Sequence, residues 1–278
     1  MVISLRYLVK DKLALTGMII ILLLLASMLL APILVPYDPL ELNMTDRLQG
    51  VNKTHWMGTD GFGRDVLSRV IYGARLSLTI AFILVMLSAG VGVIVGGIAG
   101  FFGGFVDELI MRCVDVLLAF PKLILALVIV AVLGPSLVNV MLAIAATGWV
   151  NYSRVVRGSV LSIKQDEFVL AARAVGCKNV RILTRHIIPN VLAPVIVLVT
   201  MDIGHIILAI SALSFLGLGA QPPTPEWGAM LNEGRSYMQS APHLMIFPGL
   251  MIMITVLAFN LVGDGLRDAW DPFIQEIK

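Results

Sequence analysis

The sequence predicts an all-α integral membrane protein of six transmembrane helices, with both termini in the cytoplasm. Its 278 residues are 58% hydrophobic and 14% charged, with a mean hydropathy of +0.93. That leaves too little polar surface for a water-soluble domain of this length. Four uncharged runs, 13–37, 76–106, 123–153 and 244–263, each supply the roughly 20 residues that cross a bilayer. The basic residues are unevenly distributed between the segments these runs separate, and this sets the orientation.

The first run follows Arg6, Lys10 and Lys12, as in a signal peptide, but it is too long and lacks a small-residue cleavage site. It is read as a retained first span. In the outer segment after it, GTDGFGRD (58–65) has neither the G-x-G-x-x-G spacing after a strand nor the D-x-[DN]-x-[DN]-G calcium pattern, so it reads as a turn-rich loop.

The second span carries Gly90, Gly92, Gly96, Gly97, Gly100, Gly103 and Gly104. Such a helix lets a neighbour approach its backbone closely, and a flexible pore-lining role is compatible with that packing. Gly134-Pro135-Ser136 is a turn signal that divides the third run into spans at 113–133 and 137–153. Pro121 permits a kink in the former, and Lys122 beside it places that point near the inner surface.

The fifth span, 191–216, holds Asp202 and His205 three residues apart on one helical face. Ionisable groups inside a bilayer are expensive and usually aim at a cavity or a partner. They are the candidate path residues. The bland alternative is a satisfied pair, with Asp202 accepting a hydrogen bond from His205 or from an adjacent helix. The sixth span is 244–263. Cys113 and Cys177 have no metal spacing, and no disulfide is expected.

With the N-terminus inside, fourteen of the twenty lysines and arginines fall on the cytoplasmic side and six outside. The positive-inside rule favours this orientation, although five of the six outer ones crowd into the first outer segment.

The charged stretch DEFVLAARAVGCKNVRILTRHIIPN (166–190) then lies in the cytoplasm. Asp166 reads as an N-cap with Glu167 in the first turn, and Gly176 as a left-handed C-cap. Asn179 reads as the cap of a second short helix through His186, and Pro189 fixes the start of the fifth span. Ala171, Ala172 and Ala174 form a smooth patch, with Arg173, Lys178, Arg181 and Arg185 around it. Docking to another protein and lying on lipid headgroups both suit this chemistry.

Leu170-Ala171-Ala172, Gly176 and Ile188-Pro189 resemble the EAA loop of the membrane subunits of bacterial ABC importers. Leu170 stands at the motif's glutamate, and His186 stands at the isoleucine two residues before its Leu-Pro. Asp166 and Glu167 could supply the missing acidity one turn earlier. Residues 55–60 (HWMGTD), 63–69 (GRDVLSR), 73–78 (GARLSL), 214–219 (SFLGLG), 222–230, Phe259-Asn260-Leu261 and Asp271-Pro272 resemble signatures of the C-type permease of dipeptide, oligopeptide and nickel importers.

The resemblance implies a type I ABC importer permease fold. It also implies an N-terminal part, 1–74, and a permease core, 75–278, with a coupling loop at 157–190. Asp166, Glu167, Ala171, Ala172, Arg173, Gly176, Arg181 and Pro189 would dock on the ATPase. The implied partners are a homologous B-type permease, two cytoplasmic ATPase subunits, an extracytoplasmic solute-binding protein and membrane lipid, with no nucleic acid, in a bacterial or archaeal plasma membrane.

No Gly-Lys pair exists in the chain, so it has no Walker A loop, and no enzymatic activity is expected of it. ATP and Mg belong to the partner subunits, and no cofactor is expected on this chain. Asp202-Ile203-Gly204-His205 resembles nickel importers more than peptide permeases, and imidazole and carboxylate suit nickel or its chelates. Nickel is thus narrowly expected, with dipeptide or oligopeptide import as the alternative. An intramembrane enzyme lacks a G-x-S-x-G or H-E-x-x-H motif. A proton-coupled secondary transporter would rely on Asp202 and His205 alone.

Overall fold

A computed structural model describes residues 11–270. Arg6, Lys10, Lys278 and Asp271-Pro272 lie outside the described residues. The described chain is helical, and its only β feature is an isolated bridge between Thr59 and Asp65.

Helix α1 (Lys12–Leu34) starts on Asp11, whose carboxylate accepts from the Leu13 amide at 2.8 Å. It packs against α2 (Val66–Phe102) and the last helix, α9 (His243–Trp270). Between them come α3 (Gly104–Leu118), α4 (Lys122–Leu133), α5 (Leu137–Ile163), α6 (Glu167–Ala174), α7 (Asn179–Phe215) and α8 (Trp227–Arg235).

By length and apolar composition four of the described helices, α1, α2, α7 and α9, can cross a membrane. The bent pair α3 and α4 makes a fifth if it counts as one span. Helix α5 is long enough, at 27 residues, but carries Asn139, Asn151, Arg154 and Arg157.

Two element boundaries differ from expectation for clear reasons. Helix α2 begins at Val66, ten residues before the apolar run, because Asp65 caps it: its carboxylate accepts from the Ser68 amide and hydroxyl, both at 2.8 Å. The expected span 113–133 is not one helix. Gly103 and Gly104, both at positive φ, end α2. Helix α3 follows, and at Pro121 the chain turns by 85° into α4.

The glycines of α2 explain the tightest helix pair. A Cβ on Gly92 would meet Tyr152 Cβ at 2.3 Å, and one on Gly100 would meet the Arg157 carbonyl oxygen at 2.9 Å. Only glycine lets the α2 and α5 backbones come this close. Gly90, by contrast, has nothing within 4 Å.

The segment between α1 and α2 is more than a loop. Asp60 accepts from Arg64 Nε at 2.6 Å, and Arg69 Nη2 donates to Glu233 at 3.1 Å. Arg64 also donates to Glu233, so two buried guanidiniums converge on one carboxylate of α8. His55 Nδ1 lies 2.8 Å from Asp65. Trp227, fully buried, donates to the Val70 carbonyl at 3.0 Å. These contacts clamp residues 55–69 and α8 onto the start of α2.

Candidate functional site

Two regions concentrate polar side chains away from that clamp. One is the hairpin at the far end of α2 and α5. The other is a cavity halfway along the helices.

The hairpin is a built element. After α6, Gly176 adopts φ +79, its amide donates to Arg173 O at 3.0 Å, and the Cys177 amide donates to Ala172 O at 3.1 Å. This paired closure satisfies two carbonyls that the helix end would leave orphaned. Val169, Ile182 and Ile187 are fully buried and cluster with Tyr152, Val156 and Val160 of α5. Lys164 Nζ donates to Gly100 O at 2.9 Å and ties the end of α5 to α2.

Asp166, Glu167, Ala171, Arg173, Gly176, Arg181 and Pro189 are exposed on this hairpin. Three details correct the sequence reading. The Asp166 side chain makes no capping bond; its carbonyl instead accepts from Val169 and Leu170. Ala172 is turned inward, at 8% exposure, so the smooth patch rests on Ala171 and Ala174. Pro189 stands at the start of the α-helical stretch Ile188–Phe215, as expected, but no break precedes it. Residues 179–215 form one continuous helix with a π turn at Ile182–Ile187, where the Ile188 amide reaches back to Leu183 O. Proline fits there because the first α-turn after the π segment needs no amide from it. Exposed apolar side chains, Phe168, Leu170, Val175 and Val180, stand among Arg173, Lys178, Arg181 and Arg185.

The cavity, 560 Å3 in volume, lies between the start of α4 and the middles of α5 and α7. Its polar lining is Lys122, Thr147, Asn151, Asp202 and His205, and the remainder is mostly aliphatic. The structure therefore brings Asp202 and His205 together on one cavity. It does not make them a hydrogen-bonded pair: His205 Nδ1 stands 3.7 Å from Asp202 Oδ1. The buried Tyr152 hydroxyl of α5 lies beside Asp202 but outside regular hydrogen-bond geometry.

Lys122 is the surprise. It shares this cavity with Asn151 and Asp202, which the sequence gives no reason to expect. Sequence reasoning also missed Asn151 and Thr147, which are single polar residues in an apolar run, and Glu233, whose partners lie far away in the chain.

Residues 92–276 match the family model described as binding-protein-dependent transport system inner membrane component. The chain belongs to this family. Residues 2–50 match the N-terminal transmembrane domain of oligopeptide transport permease C, which makes it a C-type permease of the dipeptide and oligopeptide ABC importers.

This permease is 50% identical over 267 residues to the dipeptide transport system permease protein of Alkalihalophilus pseudofirmus, covering 96% of the chain and 88% of the relative. It is 45% identical to the dipeptide permease protein of Haemophilus influenzae, covering 97% and 94%. With the glutathione transport system permease protein of an Escherichia coli strain it shares 46% identity, covering 96% and 88%. Its fold matches a subunit of the inward-facing MetNI methionine ABC transporter with TM-score 0.58 at 16% identity, over 74% of this chain and 98% of that one.

The relatives are named for dipeptide and glutathione transport, so the narrow preference for nickel gives way to the peptide alternative. Among the described residues no group of three His, Cys, Asp or Glu side chains is placed to hold a metal ion.

Proposed function

We propose that this chain is half of the membrane path of an ATP-driven importer of short peptides. It pairs with a homologous B-type permease, receives cargo from an extracytoplasmic binding protein and is driven by two cytoplasmic ATPases. ATP and Mg act on those ATPases, and this chain holds no cofactor. In this reading six spans cross a bacterial or archaeal plasma membrane: α1, α2, the bent pair α3 and α4, α5, α7 and α9. Both termini and the 157–190 loop are cytoplasmic, and the permease core at 75–278 follows an N-terminal part at 1–74.

The observation that carries the reading is the hairpin. A monomer has no reason to display Phe168, Leu170, Val175 and Val180 on a rigid, base-rimmed projection, whereas a partner surface would cover them. Asp166, Glu167, Ala171, Arg173 and Arg181 then touch the ATPase, while Ala172, Gly176 and Pro189 hold the shape. Peptide as cargo rests on the names of the relatives.

The test is uptake of labelled dialanine and of labelled nickel by cells carrying the complete transporter. ATP-dependent dialanine uptake is the expected result. Uptake of nickel alone would overturn the cargo. Uptake by the purified chain without partners, under a proton gradient, would overturn the mechanism.

A further inference from the structure

The cavity holds two opposite charges that do not neutralise each other. Lys122 makes no hydrogen bond or ion pair among the described residues. Asp202 lines the same cavity from α7, its side chain 22% exposed, with His205 Nδ1 at 3.7 Å and the Tyr152 hydroxyl beside it. Lys122 is exposed, so its ammonium is open to a charged ligand that enters the cavity. Lys122 is also the first residue of α4, whose first turn has no side-chain cap, so the amides there add positive potential beside the ammonium.

We propose that this cavity is a way-station that grips a short peptide by its two charged ends, Lys122 taking the terminal carboxylate and Asp202 the terminal ammonium. The inference rests on the peptide-import reading and adds to it the chemistry of recognition.

The dimensions fit. An extended dipeptide reaches about 7 Å from end to end, and ligand cavities run from about 300 to 1,000 Å3, a range that includes this one at 560 Å3. Thr147 and Asn151 can hydrogen-bond the peptide amide between the ends. Leu123, Ile144, Ile206 and Ala209 offer aliphatic walls with no further charge to select a side chain. Such a site reads the termini and tolerates the side chains. A zwitterion suits it because both fixed charges are satisfied at once and no net charge is carried inward.

The test uses the assembled transporter in lipid nanodiscs without its solute-binding protein, followed by saturation-transfer NMR. The probes are Ala-Ala, Ala-Ala-amide and N-acetyl-Ala-Ala. Wild type is expected to bind Ala-Ala at least tenfold more tightly than either blocked peptide. Lys122→Met should abolish the preference for a free carboxylate and leave that for a free ammonium; Asp202→Asn should do the reverse. Lys122→Arg, which keeps the charge, should bind Ala-Ala within about fivefold of wild type and shows that the site survives substitution.

Equal binding of all three peptides, no binding to wild type, or an end preference untouched by both variants would each overturn the proposal. ATP-driven uptake of Ala-Ala in proteoliposomes with the binding protein is measured in parallel. If uptake occurs while the NMR result is negative, only this inference fails. If wild type takes up no peptide at all, the peptide-import reading fails as well.

Discussion

Gly96 of α2 and Ser153 of α5 meet backbone to backbone: a Cβ on Gly96 would stand 2.2 Å from the Ser153 carbonyl oxygen. No side-chain motion can relieve a clash with a carbonyl, so the two helices must separate if residue 96 grows. Gly96→Ala should therefore destabilise by about 1–3 kcal/mol, read as a lower melting temperature in detergent. Gly90→Ala, on the open side of the same helix, should leave the midpoint unchanged or raise it slightly. Equal effects at the two positions would mean that the close approach is not what constrains α2.

Glu233 is the hinge of the clamp, because the Arg64 and Arg69 guanidiniums, each about 2% exposed or less, both reach its Oε2. Glu233→Ala leaves the two cations sharing Asp60 as their one carboxylate. Loss of one partner from a buried ionic group costs about 3–5 kcal/mol. A steep drop in thermal stability, or loss of the folded protein, is expected. The counter-test is Glu41→Ala at an exposed carboxylate, which should do nothing measurable.

At Gly176 the backbone matters and space does not, since a Cβ there meets nothing within 4 Å although φ is +79. A β-branched residue is strained in that conformation by about 1–2 kcal/mol, and the hairpin reshapes to escape. Gly176→Val should cut ATP-driven dipeptide uptake by tenfold or more while membrane insertion stays normal. Gly176→Asn, which tolerates the left-handed region, should keep most of the uptake. Equal transport by the valine and asparagine variants would show that this turn does not govern coupling.

Glu226, fully buried at the start of α8, caps it by accepting from the Gly228 and Ala229 amides, each at 2.9 Å. Burial raises its carboxyl above the ordinary value of 4.5, only partly opposed by those amides. A carboxyl raised in the folded state stabilises below its unfolded value, and that contribution is lost as pH climbs through the folded one. The wild-type midpoint should fall along this window, and Glu226→Gln should flatten the slope. At acid pH the two proteins should melt alike, because a protonated carboxyl, like the amide, keeps one good acceptor oxygen for the two amides. Parallel slopes in thermal scans at stepped pH would remove Glu226 as their source.

The sequence made much of this molecule legible because lipid imposes simple rules. Long apolar runs had to become helices, and the glycines of α2 had to mark close packing, as Gly92, Gly96 and Gly100 do. The left-handed turn at Gly176 followed from its place after an alanine-rich turn of helix. What stayed hidden depended on groups far apart in the chain. Nothing near Lys122 announces that it shares a cavity with Asp202, eighty residues away. The π turn in α7 was equally invisible, since Pro189 ordinarily signals a boundary and here sits where the backbone needs no amide from it. Nickel was favoured from four residues read alone, and the cavity around them carries a lysine that repels a cation.

The continuity of α7 has a mechanical meaning. From Asn179 to Asp202 it forms one rod about 35 Å long, with the hairpin at one end and the cavity wall partway along it. Tilting that rod by about 5° at the hairpin end displaces Asp202 by about 3 Å, enough to open or close a hydrogen-bond distance. Force applied to the projection thus reaches the cavity as leverage, without any segment between them having to unfold or refold.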